Sequence, residues 1–331
     1  MRVVLFTEHN SPYGAEVMRR LHSHRDISAL TIVTRGNGIL CDYYLLDAMQ
    51  VDLVEETKSL GIPLIQQENL DAPDFLQRIR FFDPDVLVLA NYQKKVNKIL
   101  SATARIAAIN FHPSPLPRYA GLAPFFWMAK QGELVGGVSC CLVADVIDSG
   151  DLLAQTTVPL SGTETKGEIR DRHFTAAYNL VSPVMSQLAR LDFNLIQQDA
   201  SRRTYFSRPS VTDLIIDWTK GTVSVMRTIR AGAPFPGACA ILINGRGVRI
   251  TDAEIYPEKS LAHPGTVIYR HSLPIVATSD GWVRINAIGC FSDDYATDTM
   301  TLPLNQSPPL EIAFSIPLEQ LGLNIRLSPN E

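Results

Sequence analysis

The stretch Asn110-Phe111-His112-Pro113-Ser114-Pro115-Leu116-Pro117 sets two side chains able to do chemistry on either side of a single residue. On a strand, residues 110 and 112 point to the same face, so an amide and an imidazole can converge on one substrate atom. Prolines at 113, 115 and 117 forbid a central ladder beyond this point, so the chain must leave the sheet as a rigid loop. A polar pair is thereby fixed at a pocket. A second piece, Asp145-Val146-Ile147-Asp148-Ser149-Gly150-Asp151, reads as a loop between an apolar run at 138–144 and a strand-like run at 152–158. A carboxylate brought from that loop to the imidazole would favour the charged ring and fix its tautomer.

The elements that must position these residues alternate. Strand patterns at 2–6, 29–33, 85–90 and 105–111, and one beginning at 62–65, are interleaved with helical patterns at 14–23, 49–60 and 72–80. That alternation predicts an α/β domain with a mostly parallel sheet and helices on both faces. Ligands of such sheets bind beyond the carboxyl ends of the strands, which places the site just after Ala90 and just after Phe111. No G-x-G-x-x-G follows the first strand, where Gly14 stands alone, so a nucleotide dehydrogenase is a poor reading despite the alternation. A long helical pattern at 164–192 closes this domain, expected to span 1–196. The polar and basic segment 197–210 reads as a linker. Beyond a helix at 221–231, short runs at 238–243, 247–255, 265–269, 274–278 and 281–288 are separated by Asn244-Gly245, His263-Pro264-Gly265 and Asp280-Gly281. They predict a small β-barrel domain over 211–310, followed by a tail at 311–331.

A net charge of −4 argues against a general nucleic-acid binder. No apolar run is long enough to span a membrane, so no membrane partner and a cytoplasmic protein are expected. Cys41, Cys140, Cys141, Cys239 and Cys290 fit no zinc spacing and read as reduced core thiols; no metal is expected. His9 reads as a surface-loop residue and His173 as structural. Trp127, Trp218 and Trp282 read as core. Nothing in the sequence signals an oligomeric state.

With these pieces in hand, the chain resembles the formyltransferase family, which includes enzymes acting on methionyl-tRNA, glycinamide ribonucleotide and sugar amines. The resemblance rests on residues 110–117, on Tyr119-Ala120-Gly121-Leu122-Ala123-Pro124 and on Asp148-Ser149-Gly150-Asp151. In the second half it rests on Ile216-Asp217-Trp218, Ile229-Arg230-Ala231 and Pro234-Phe235-Pro236-Gly237-Ala238. It implies a Rossmann-like catalytic domain, an OB-like second domain and the donor N10-formyltetrahydrofolate. It implies that Asn110 bonds the formyl oxygen, that His112 orients the donor and shuttles the proton of the attacking amine, and that Asp148 sets the charge and orientation of His112. The folate pocket would involve Gln93, Lys95, Val96, Val143 and Asp145, and Ser114 would shape the substrate side. Ala120 stands where the family commonly has arginine, and Pro115 where it has leucine. Both departures lie near the acceptor.

The acceptor is argued from charge. Residues 205–331 hold ten Lys or Arg against twelve Asp or Glu, and segment 35–56 holds one base, Arg35, among five acidic residues. Neither looks like a clamp for tRNA phosphates. A small or carrier-bound primary amine, such as an amino sugar nucleotide, is therefore expected. The alternatives are a methionyl-tRNA formyltransferase and, from another class, a non-catalytic folate-binding regulator.

Overall fold

A computed structural model describes residues 1–36, 41, 51–241, 247–271, 273–289 and 301–303. The chain forms two compact units. The first comprises Met1–Pro124, Val135–Pro159 and Asp171–Phe206, and the second Phe125–Leu134, Leu160–Arg170 and the chain from Ser207 onward.

In the first unit, β1 (Arg2–Phe6), α1 (Pro12–His22), β2 (Ala29–Thr34), α2 (Leu53–Leu60), β3 (Leu64–Gln66), α3 (Pro73–Phe82), β4 (Val86–Leu89), α4 (Lys98–Ser101) and β5 (Ala107–His112) follow one another. After β5 come β6 (Ala120–Gly121) and α5 (Pro124–Gln131), then β7 (Val135–Leu142) and β8 (Leu152–Pro159). The long α6 (Lys166–Arg190) and the short β9 (Tyr205–Phe206) complete the series. The main sheet has seven strands in the order β3-β2-β1-β4-β5-β7-β8. Its first five strands are parallel, and β7 and β8 run antiparallel to their neighbours. The predicted mostly parallel sheet with helices is therefore present. Every residue of β4 is buried, as its unbroken apolar run requires. Val4, Phe6, Val33, Phe75, Ile79 and Leu87 form a core on one face of this sheet. Strand order reverses at β1 and β4, which makes the crevice beyond their carboxyl ends the natural ligand position.

In the second unit, α7 (Thr222–Gly232) precedes β10 (Ala238–Ile241), β11 (Gly247–Tyr256), β12 (Val267–Arg270), β13 (Leu273–Ala277), β14 (Trp282–Gly289) and β15 (Thr301–Pro303). The six strands form an antiparallel sheet in the order β10-β11-β14-β13-β12, with β15 beside β14. Trp218, Val225, Met226, Ile229, Ile250, Val283 and Ile285 bury one another between α7 and this sheet. The Asp280-Gly281 turn closes with Thr278 N donating to Gly281 O at 2.8 Å. The expected Asn244-Gly245 turn, Cys290 and the 311–331 tail lie outside the described residues.

Two expectations differ from the structure. The segment read as a linker is structured up to Phe206 and belongs to the first unit, where β9 pairs in parallel with β6. Within it Gln198, Arg203 and Thr204 bond neighbouring loops, a use that composition does not separate from solvation. Trp127 is half-buried, not core; its indole N–H donates to Ser207 O at 3.0 Å. Trp218 and Trp282 are buried as expected.

Candidate active site

β5 ends at His112, so Asn110 and His112 sit on its last turn of pleat and share a face. Asp148 comes from the loop between β7 and β8. Its carboxylate is 5% exposed and accepts two hydrogen bonds, with the His112 ring beside it. Asn110 Nδ2 donates to Oδ1 at 3.1 Å, Gly121 N donates to Oδ2 at 2.9 Å, and His112 Nδ1 stands 3.6 Å from Oδ2. His112 is itself buried, and its Nε2 lies 3.1 Å from Tyr119 O. A carbonyl only accepts, so Nε2 carries hydrogen, and Nδ1 is the ring nitrogen left to exchange a proton beside the carboxylate. The second amide hydrogen of Asn110 has no partner among the described residues. It is therefore a donor held in place by Asp148 and available to a substrate oxygen.

The loops around this cluster carry unusual backbone. Asp148, Tyr119 and Ala123 have φ of 55°, 57° and 52°. Left-handed backbone costs a residue with a side chain about 1–2 kcal/mol, so neighbouring contacts must hold it. Gly150 follows because the chain here presses on β7: a Cβ at 150 would lie 1.9 Å from Leu142 O. The proline loop 113–117 is anchored by Ser139 on β7, whose hydroxyl donates to Ser114 O at 2.7 Å and accepts from Leu116 N at 3.0 Å. Gln155 on β8 donates to Leu116 O at 2.8 Å and to the same hydroxyl at 2.8 Å. Gly137 lets the loop approach, since its Cβ would sit 3.0 Å from Pro115 Cβ and 2.7 Å from Thr156 O. Ser114, expected on the substrate side, is completely buried and donates to Arg118 O at 3.1 Å. It staples its own loop, and its burial leaves no surface for a substrate contact.

The crevice beyond β1 and β4 contains a carboxylate that sequence reasoning did not single out. Glu8 is fully buried, accepts from Gln93 N at 2.8 Å and pairs with the Arg35 guanidinium at 2.6 Å. Burial pushes its carboxyl up, while Gln93 N–H and Arg35 pull it back. Asn91, at φ 54°, donates to Ser11 Oγ at 3.1 Å and its carbonyl accepts from Glu8 N at 3.1 Å. Tyr92 packs edge-on against Phe6, and its buried hydroxyl has no partner among the described residues. Of the residues expected around the folate, Gln93 is thus tied into this crevice. Val96 is buried in the same core against which Val143 packs, while Lys95 and Asp145 are exposed. Lys95 lines a groove of about 370 Å³ with Glu68, Asn69, Leu70, Asp71 and Lys94.

Other expected residues are plainly placed. Cys41, Cys140, Cys141 and Cys239 are free, buried thiols. Burial, and then the charge of nearby Asp148, push the Cys141 thiol far up, so it stays protonated and inert beside the site. His173 is fully buried and its Nε2 accepts from Gly137 N at 3.1 Å. His9 is half-buried, with Nε2 3.5 Å from Asp52 Oδ1.

An α/β unit whose strand-end Asn and His meet a loop Asp defines a class, and comparison with known proteins gives its family. Residues 1–185 match the formyl transferase family and residues 210–290 match the formyl transferase C-terminal domain. The chain belongs to the formyl transferase family, whose members are folate-dependent N-formyltransferases. It is 33% identical over 220 residues to the methionyl-tRNA formyltransferase of Chloroflexus aggregans, covering 66% of this chain and 71% of that one. It is 29% identical over 255 residues to the methionyl-tRNA formyltransferase of Akkermansia muciniphila, covering 76% and 80%. Among solved structures, the N-formyltransferase of Helicobacter canadensis, in complex with folinic acid and dTDP-3-aminofucose, matches with a TM-score of 0.64 at 15% identity, over 86% of this chain and 99% of that one. At that identity the likeness concerns the fold. Among the described residues no helix is long and apolar enough to cross a membrane.

Proposed function

We propose that this enzyme transfers the formyl group of N10-formyltetrahydrofolate to a primary amine on a small or carrier-bound molecule, with Asn110, His112 and Asp148 as its catalytic residues. The observation that carries this reading is the buried Asp148 carboxylate gripped by the Asn110 amide and the Gly121 N–H, with His112 Nδ1 beside it. Asn110 donates its remaining N–H to the formyl oxygen as that oxygen gains charge, a role whose loss raises the barrier by about 3 kcal/mol. His112 takes the proton of the attacking amine at Nδ1 and returns one to the nitrogen that leaves. Asp148 holds the amide and stabilises the ring while it is charged. One C–N bond forms and one breaks, and the proton lost by the acceptor is gained by the donor nitrogen, so no side chain need form a covalent bond. Gln93, Lys95, Val96, Val143 and Asp145 are assigned to the folate side by the family resemblance, which aligns the folate pocket with the segment after Ala90 and the loop before Asp148, with backbone groups contributing most.

The small-amine reading is supported by the charge balance of the second half and by Arg35, the one base of segment 35–56, being engaged by buried Glu8. A second reading, transfer to methionyl-tRNA, is supported by the names of relatives about 30% identical. Incubation with the formyl donor and either dTDP-3-aminofucose, related amino sugar nucleotides or methionyl initiator tRNA, read by mass spectrometry for the added formyl group, separates them. Tight folate binding with no transfer to any amine, and Asn110→Ala indistinguishable from the parent, would leave only a regulatory folate binder.

A further inference from the structure

Segment 198–206, between the end of α6 and the end of the first unit, touches both loops that build the site. Gln198 Nε2 donates to Asp148 O at 3.0 Å and to Gly150 O at 2.6 Å. Arg203 donates to Asp148 O at 3.3 Å and to Ile147 O at 2.7 Å, with its guanidinium 5.9 Å from the centre of the Tyr205 ring. Three carbonyls of the Asp148 loop are thus satisfied by two side chains of one segment, and the Asp148 carbonyl accepts from both. Asp148 is the residue whose backbone is left-handed, at φ 55°. The next residue of the segment, Thr204, works on the other loop. Its Oγ accepts from Tyr119 N at 2.8 Å, its carbonyl accepts from Ala120 N at 3.0 Å, and its N–H donates to Pro117 O at 3.2 Å. Tyr119 O in turn faces His112 Nε2, and Gly121 N, carried on the strand paired with β9, faces the Asp148 carboxylate. The two carbonyls alone orient the Gln198 amide, since its nitrogen donates to both and its buried Oε1 has no partner among the described residues. An unpartnered buried oxygen is the kind of cost retained where geometry serves function.

We infer that Gln198 and Arg203 are positioning residues for formyl transfer, acting through Asp148: they lock the peptide of Asp148 so that its carboxylate stays aimed at Asn110 and His112. The inference rests on the catalytic assignment of Asp148 above. A donor held loosely by even about an ångström can lose a hundredfold in rate. Gln198→Met, which keeps volume without donors, and Arg203→Lys, which keeps charge but not the paired geometry, are the variants to make beside the alanine forms. With dTDP-3-aminofucose and methionyl initiator tRNA as acceptors, each is expected to lower kcat by about 10-fold to 100-fold. KM and folinic acid binding should stay within about twofold. In an Asp148→Ala background the same changes should add nothing, because the residue through which they act is gone. A second readout needs no acceptor: the ring nitrogen resonances of His112, picked out among seven histidines by a His112→Gln control, should move in both variants while the other six stay. Unmoved His112 resonances, or rate losses that add fully in the Asp148→Ala background, would overturn the inference. An Asp148→Ala enzyme with the parent kcat would be a different result, removing the catalytic assignment itself.

Discussion

In the proposed transfer Asn110 serves a developing oxyanion only while its amide is held, and the partner that holds it is 38 positions away, at Asp148. The two residues on β5 were legible from sequence because the pleat has a period of two and the prolines end the strand. The meeting of Asp148 with them was not legible from spacing; only the family resemblance joined the two motifs. Gln198 and Arg203 were not legible at all, because side chains that donate to loop carbonyls leave no periodic pattern. Removing the donor tests the assignment most directly. Asn110→Ala should lower kcat by about 10²–10³, roughly 3–4 kcal/mol, with donor and acceptor KM little changed, in single-turnover measurements of formyl transfer. Gly150→Ala tests the loop that delivers the carboxylate. Its new Cβ would collide with Leu142 O at 1.9 Å, so the loop must shift and kcat should fall although no reacting group has been altered.

Elements position the site by pressing loops against strands. β7 carries Ser139, and its hydroxyl takes part in three hydrogen bonds, with Ser114 O, Leu116 N and Gln155 Nε2. Ser139→Ala removes these three hydrogen bonds and leaves the Leu116 N–H only its bond to Ser114 O, which should destabilise the first unit by about 1–3 kcal/mol in urea unfolding. The alternation of strands and helices was readable because each buried strand is an unbroken apolar run. Loop anchoring was not, because serine and glutamine in a strand look the same whether they face water or a loop. In the second unit, α7 borrows its cap: Asp280, in the turn between β13 and β14, accepts from Thr222 N at 2.8 Å. That bond, foremost, holds the Asp280 carboxyl below its usual range despite some desolvation. A depressed folded-state value means stability that is present above the ordinary carboxylate range and lost as pH falls through the folded value. Asp280→Ala should therefore lower Tm at pH 7, and the gap between variant and parent should close as the pH is taken below about 3.8.

At the scale of the whole molecule, the change from alternating α/β pattern to short strands announced two units. What it concealed was that Phe125–Leu134 and Leu160–Arg170 cluster with the second unit, since contiguity in sequence says nothing about which core a short segment joins. The acceptor is also a whole-molecule question, because tRNA is bound by fields and phosphate contacts spread over a surface. Each phosphate neutralised by a protein cation contributes roughly −0.7 to −0.9 to the slope of log K against log salt. A chain with net charge −4, ten basic against twelve acidic residues from 205 onward, and Arg35 paired with buried Glu8 has no excess of cations over carboxylates to offer. Binding of methionyl initiator tRNA, measured by filter retention across salt concentrations, should therefore show a slope shallower than about −3, the level set by three or four phosphates. Formylation of an amino sugar nucleotide should then be indifferent to added tRNA. A slope near −6 or steeper, with transfer to the methionyl amine, would mean that local clusters of cations outweigh the net charge, and the second reading of the acceptor would take the place of the first.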